Sequence, residues 1–277
     1  MAYKSHREIA SVLERHLKEV HNKFAENSFY IGLYGSQNYG LDTPESDIDS
    51  KCILIPQMRD VVLGKSQINK DIVIPDNGAI CTVKDIRGMF DNFYKGNINF
   101  TEILFTPYYL KGFHYNDIIE QLRWRREFVA LRDIPNLFRM AQGMARQKYV
   151  AFDRPFESKK EILAKYHYDA KQLHHIVRLY YFMETIAESM NFESALKIFP
   201  RGVKEYLYDI KNNNFSYEVA VEIRDKYMRK IDEFVAENTP KFVRDNQKKI
   251  DAEVRDFLDD LAYMAITRNM TLEKLRK

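Results

Sequence analysis

Only two cysteines, Cys52 and Cys81, occur in the chain, and both sit inside apolar, strand-like segments. A disulfide framework and a thiolate metal site are therefore disfavoured, and buried reduced thiols are the simpler expectation. No apolar run approaches the roughly 20 residues that a membrane-spanning helix needs. The first residues are polar and lead into a capped helix, so a secretory signal is not expected and a cytoplasmic location is. Nor is there a large excess of one charge: 43 Lys and Arg stand against 40 Asp and Glu. Composition alone thus makes no case for nucleic-acid binding. There is one tryptophan, and the 18 tyrosines and 18 phenylalanines are spread along helical patterns at core spacing. They do not form a base-stacking platform. Internal repeats, low-complexity tracts and long linkers are missing as well. What remains is an ordinary globular chain of 277 residues, 45% hydrophobic and 30% charged, long enough for one large or two modest domains.

The most informative stretch runs from Phe29 to Pro56, FYIGLYGSQNYGLDTPESDIDSKCILIP. A hydrophobic run, Phe29 to Tyr34, ends in Gly35-Ser36. After a polar turn, Asp47-Ile48-Asp49 opens a second apolar run, Cys52 to Ile55. Alternate side chains of a strand share a face, so Asp47 and Asp49 project together. Two carboxylates on one face repel each other unless a cation neutralises them. Hard oxygen ligands of this kind suit Mg²⁺, which takes one or two carboxylates plus substrate phosphates. Gly35-Ser36 supplies a tight turn where backbone N–H groups can approach a phosphate closely. Gly-Ser or Asp-x-Asp alone is commonplace; strand, Gly-Ser, about a dozen residues, Asp-x-Asp and strand together point to nucleotide and metal.

The surrounding elements are legible in outline. Ser5-x-x-Glu8 is a capping box before a helical repeat at Ile9, Leu13, Leu17, Val20 and Phe24, which predicts a helix from about 5 to 26. Asp71–Ile74 and Ile80–Val83 read as short strands joined by the turn Pro75-Asp76-Asn77-Gly78, a hairpin. KDIRGMFDNFYKGN reads as a helix with Ile86, Met89, Phe90 and Phe93 inward, stopping at Gly96-Asn97. From about 114 onward only helical patterns are found. Ser158-x-x-Glu161 is a second capping box, opening a helix that could run to Ser189. Further amphipathic repeats follow at Val219–Phe234 and Ile250–Met264. The expected fold class is α+β: a small α/β core with a mixed sheet over residues 1–110, then an all-helical domain over 111–277.

Within the helix expected after Ser158, Tyr168, Lys171, His175 and Arg178 are spaced i, i+3, i+7, i+10 and so share one face. Cations stacked this way repel one another; a solvated basic stripe or a bound polyphosphate accounts for them, Lys acting as a point charge and Arg as a bidentate fork.

Four segments together resemble the nucleotidyltransferases of the DNA polymerase β superfamily, in its bacterial and phage branch associated with RNA-repair operons. They are Gly35-Ser36…Ser46-Asp47-x-Asp49, Lys84-Asp85-Ile86-Arg87, Lys95-Gly96-Asn97…Glu102, and Tyr168-Asp169-x-Lys171…His175-x-x-Arg178. The resemblance implies a polymerase-β-like core and transfer of an NMP group from an NTP to a hydroxyl acceptor. RNA or tRNA is the favoured acceptor; a protein side chain or a small molecule are the others. Two Mg²⁺ ions are implied, with Mn²⁺ as a substitute, and Asp47 and Asp49 as their ligands. Ser36 and the Gly35 backbone would hold the β and γ phosphates. Tyr168, Lys171, His175 and Arg178 would bring basic, nucleotide-binding groups from the helical domain to the active-site cleft. The superfamily places a third carboxylate on a neighbouring strand, yet Ala79-Ile80-Cys81-Thr82-Val83 has no acid. Asp85, Glu102 and Asp76 are the candidates for it. That gap supports an alternative: a catalytically degenerate nucleotide-binding or regulatory, antitoxin-like protein that works with a protein partner.

Overall fold

The computed structural model describes residues 4–24, 27–44, 46–75, 78–155 and 159–275. The fold is α+β, a mixed five-stranded sheet followed by helices. The chain forms two compact units, Met1–Arg132 together with Lys248–Lys277, and Asp133–Gln247. None of the helices among the described residues is long and apolar enough to cross a membrane.

The first unit begins with α1 (His6–Lys23), whose Ser5–Glu8 capping box closes in both directions as the sequence predicts. β1 (Asn27–Tyr34) and β2 (Asp49–Ile55) follow, then a short helix α2 (Met58–Val62), then β3 (Asn69–Val73) and β4 (Ile80–Asp85). β3 and β4 pair antiparallel, the expected hairpin. α3 (Ile86–Tyr94) begins two residues later than the Lys84-Asp85-Ile86-Arg87 pattern suggests, because Lys84 and Asp85 finish β4. The apolar segment Phe100–Phe105 is helical, divided between α4 (Ile98–Thr101) and a 3₁₀ turn, Glu102–Leu104. β5 (Tyr109–Lys111), α5 (Asn116–Trp124) and α6 (Arg126–Ala130) complete the amino-terminal part of the unit.

The sheet order is β3-β4-β2-β1-β5. β2 and β4 run parallel and the other neighbours antiparallel. β2 is central, and its run Ser50–Ile55 is buried throughout, as a strand covered on both faces requires. One face packs on α1: Ile9, Val12, Leu13 and Val20 meet Ile31, Leu33, Cys52, Leu54, Cys81 and Val83. Both cysteines are free and buried, in keeping with the reduced thiols expected. The other face meets the 3₁₀ turn at Glu102. Tyr30 donates its hydroxyl to the Ile103 carbonyl at 2.6 Å. A Cβ on Gly32 would stand 2.8 Å from the Tyr30 ring and 3.3 Å from both the Ile103 and Thr106 side chains, so a larger residue here would make these neighbours shift.

The second unit holds α7 (Ile134–Ala151), α8 (Lys160–Tyr166), α9 (Ala170–Ser189), α10 (Phe192–Lys197), α11 (Val203–Lys211) and α12 (Tyr217–Asn238). The single helix expected from Ser158 to Ser189 is broken. α8 ends at His167 in the left-handed conformation, φ 63°, and Asp169 caps a fresh start by accepting the Lys171 N–H at 3.0 Å. Ser158 lies outside the described residues. Leu173, Val177, Phe182 and Ile186 of α9 are buried, and the other helices pack around them.

The last helix, α13 (Gln247–Leu275), belongs to the first unit from Lys248 on. Val254, Leu258, Leu261 and Ala265 form its inward stripe. Asn269, fully buried, accepts the Tyr115 hydroxyl at 3.1 Å and is bonded to Asn27.

Candidate active site

β1 hands over to the Gly-Ser turn at Tyr34, whose ladder partner is Asp49, the first residue of β2. Gly35-Ser36 and Asp47-Ile48 therefore lie just past the same end of one antiparallel pair. Gly35 has φ 98° and ψ −153°, a conformation open essentially to glycine alone. It reverses the chain into a 3₁₀ turn, Ser36–Tyr39, pinned by Asn38 N–H to the Gly35 carbonyl at 2.9 Å and by Asn38 Nδ2 to the Leu33 carbonyl at 3.0 Å. The neighbouring Gln37 side chain reaches the Asp47 carbonyl at 3.5 Å. Ile48 is buried between Asp47, which is exposed, and Asp49, which is partly so. Asp47 is in the lead-in to β2 rather than in the strand itself. One oxygen of Asp49 accepts the backbone N–H of Ile80 at 2.8 Å, tying the carboxylate to the adjacent β4.

Register and alternation assign the rest of this face. Tyr34 is opposite Asp49, Lys51 opposite Thr82, and Thr82 opposite Asp71 on β3. The Thr82 hydroxyl donates to Asp71 at 2.7 Å. Lys51 is 3% exposed. Its ammonium sits 2.8 Å from the centroid of the Tyr34 ring and 5.2 Å from that of Phe100, while Lys84 Nζ sits 5.0 Å from Phe100. Burial pushes the Lys51 pKa well down, against the opposing pull of Asp49 and Asp71. Burial also raises the Tyr34 phenol, reinforced by the negative charges of Asp49, Glu102 and Asp71.

The candidates for a third acid fall in different places. Asp85 is buried and caps α3, accepting the N–H groups of Arg87 at 3.0 Å, Gly88 at 3.2 Å and Ile68 at 3.3 Å. It also pairs with Arg87 at 2.7 Å. By register it shares the face of Leu54, opposite to that of Asp49. Glu102 is buried close enough to raise Tyr34. Asp76 lies outside the described residues. Asp71 was not among the candidates; the β3–β4 register sets it opposite Thr82, on the face of Asp49. Among the described residues no group of three or more His, Cys, Asp or Glu is arranged to hold a metal ion.

The basic row lies in the second unit. Tyr168 precedes α9 and points into the core: its ring stacks on Phe152 at 5.2 Å and its hydroxyl donates to the Phe215 carbonyl at 3.1 Å. Lys171, His175 and Arg178 do share a face of α9, with Lys171 exposed, His175 half-buried and Arg178 buried. His174 belongs to the same side, which its i+3 and i+4 relations to Lys171 and Arg178 would have disclosed. Burial pushes His174 down to about 3, with Arg178, Lys211 and Lys171 adding repulsion. His175 is lowered well below its usual range by burial and by Arg178, His174, Lys148 and Lys171. Lys148 of α7 is lowered by burial and by the positive charges of Lys171 and Arg178, against the pull of Asp169. Lys148 and Lys211 thus extend the row to three helices.

No curated protein matches the sequence. The family model described as RlaP, RNA repair pathway DNA polymerase beta family, matches residues 9–252, which take in the Gly35-Ser36 turn, Asp47-x-Asp49 and the α9 row. That match spans most of the chain, and the chain belongs to this polymerase-β-like nucleotidyltransferase family.

Proposed function

We propose that the chain is a Mg²⁺-dependent nucleotidyltransferase that moves an NMP group from an NTP to a hydroxyl, with an RNA end, tRNA included, as acceptor. The observation that carries this reading is the common position of Gly35-Ser36 and Asp47-Ile48-Asp49 at one end of the β1–β2 ladder. RNA as acceptor is supported by the family's description as an RNA-repair one. The donor set fits the metal: Mg²⁺ takes one or two carboxylates and completes its shell with phosphate and water oxygens. Asp47 would offer its carboxylate, and Asp49 the oxygen that Ile80 does not occupy. When bound, two such ions, or Mn²⁺ in their place, would polarise the phosphoryl oxygens and acidify the attacking hydroxyl. Ser36 and the Gly35 backbone orient the β and γ phosphates. Lys171 and Arg178, with Lys148 and Lys211 near them, present positive charge to polyphosphate, and His175, kept neutral by burial and by nearby cations, offers a ring nitrogen beside them.

Incubating the protein with Mg²⁺, RNA and each α-labelled NTP tests the reading. Label on RNA with release of pyrophosphate is expected, and both vanish in Asp49→Ala. A second reading, nucleotide binding without transfer in a regulatory partner, is favoured by β4, which turns Ile80, Thr82 and Lys84 rather than an acid toward the face of Asp49. NTP binding with no pyrophosphate release under any acceptor would establish it.

A further inference from the structure

We propose that Lys51, with Lys84 beside it, contacts the phosphoryl group being transferred, the α-phosphate of the nucleotide; this rests on the nucleotidyl-transfer reading above. Lys51 stands two residues after Asp49 on the same strand face, in the middle of the sheet. A lysine usually runs its stem along apolar surface and leaves its ammonium in water. Here the side chain is 3% exposed and turned over the Tyr34 ring, with Phe100 as a second aromatic wall. Among the described residues its ammonium makes no hydrogen bond and no ion pair; the rings are its neighbours, and Asp49 and Asp71 act on it only as more distant charges. Lys84, partly open, shares the Phe100 ring from the next strand.

A buried ammonium without an acceptor is costly, and an apolar side chain of similar length would fill the position at less cost. An arriving anion offsets that cost. The same face carries Asp49 and Asp71, which repel a phosphate, so a cation set among them is what lets a phosphoryl group come close. Preorganised cations also stabilise the charge that spreads over the phosphoryl oxygens during transfer. In the step, the acceptor hydroxyl gives up its proton to water, its oxygen forms a bond to the α-phosphorus, and the bond from that phosphorus to the pyrophosphate oxygen breaks. Pyrophosphate leaves with the bonding pair, and the ammonium groups of Lys51 and Lys84 hydrogen-bond the non-bridging oxygens without forming covalent bonds.

The test uses calorimetry on the full chain with each nucleoside monophosphate, one nucleoside triphosphate, and pyrophosphate. Lys51→Met is expected to weaken monophosphate binding by roughly tenfold or more, the loss of a charged hydrogen bond, and to leave pyrophosphate binding within about twofold. Lys84→Gln should give a smaller loss in the same direction. Monophosphate binding unchanged in Lys51→Met overturns the proposal while leaving the nucleotidyltransferase reading standing. Should Lys51→Met not melt cooperatively, Lys84→Gln decides, and unchanged monophosphate affinity there overturns it equally. If the unsubstituted chain binds neither monophosphate nor triphosphate, the nucleotide reading fails and this proposal with it.

Discussion

At the scale of single residues, the chain concentrates unusual electrostatics in a few side chains. His16 of α1 is fully buried, with Nδ1 2.8 Å from the Ser50 hydroxyl, and burial pushes it down to about 4. An unfolded histidine titrates near 6.5, so below that pH the unfolded chain binds a proton that the folded one refuses. Stability is complete above about pH 6.5 and is lost as the pH falls toward 4. Urea midpoints should show a loss of about 2 kcal/mol between pH 7 and pH 5 from this residue, and His16→Gln should flatten that slope. An equally steep slope in the variant would show that another group carries it. Lys171 is a different case, exposed at the start of α9 among like charges. Lys171→Ala is expected to raise the KM for NTP about tenfold; unchanged kinetics would remove it from nucleotide binding.

The individual residues were unequally legible. Gly35, Ser36, Asp47 and Asp49 lie close together in sequence, and their geometry follows from one strand, one turn and one alternation. Lys51 sits in that same motif, but nothing in a lysine's identity says that its ammonium turns inward over Tyr34. That outcome depends on Phe100, far along the chain.

At the scale of elements, caps and registers decide most of what happens. Ser5 and Glu8 close α1 as their spacing requires. The same kind of local chemistry splits the helix expected up to Ser189, because Asp169 offers its carboxylate to the Lys171 N–H and a new helix is more favourable than a continued one. Apolar periodicity carries on across that break, which is why it was invisible to pattern alone, and Tyr168 lands in the core instead of on the basic row. Asp71 illustrates the converse. A hairpin between Asp71–Ile74 and Ile80–Val83 was readable, but the facing of Asp71 with Thr82 depends on register, which a two-residue uncertainty in the turn hides. Asp85 shows how a carboxylate near a motif can be engaged in architecture. Asp85→Ala removes the α3 cap, the Arg87 pair and the acceptor for the Ile68 N–H together. A loss of about 2 kcal/mol in chemical denaturation is expected, and a loss below about 0.5 kcal/mol would refute the assignment of Asp85 as a structural cap.

At the scale of the whole molecule, the division into units is discontinuous in sequence. The first unit is left at Arg132 and rejoined at Lys248. Amphipathic patterning marked a helix over Ile250–Met264, but periodicity does not reveal which core a helix joins. The tie is made by Asn269 against Tyr115 and by Arg268, whose Nη2 stands 2.8 Å from Asp117. Deleting Lys248–Lys277 exposes the apolar surface under Val254, Leu258 and Leu261 and leaves the Tyr115 hydroxyl without Asn269. The shortened chain should lose the cooperative melting of the first unit and be cut rapidly by protease within residues 4–132. Retention of the full-length melting profile would contradict that role for α13.

This discontinuity sets an order of events during synthesis. The polypeptide that emerges first contains β1, β2 and the Asp47–Asp49 pair, yet its unit stays incomplete while Asp133–Gln247 is being made. At about 5–20 residues per second that interval lasts on the order of ten seconds. The contiguous second unit has all its residues available before the first one does. A ribosome-bound chain stalled before Lys248 would thus carry the carboxylate pair on an unfinished scaffold, and the unit would be completed only once α13 clears the exit tunnel.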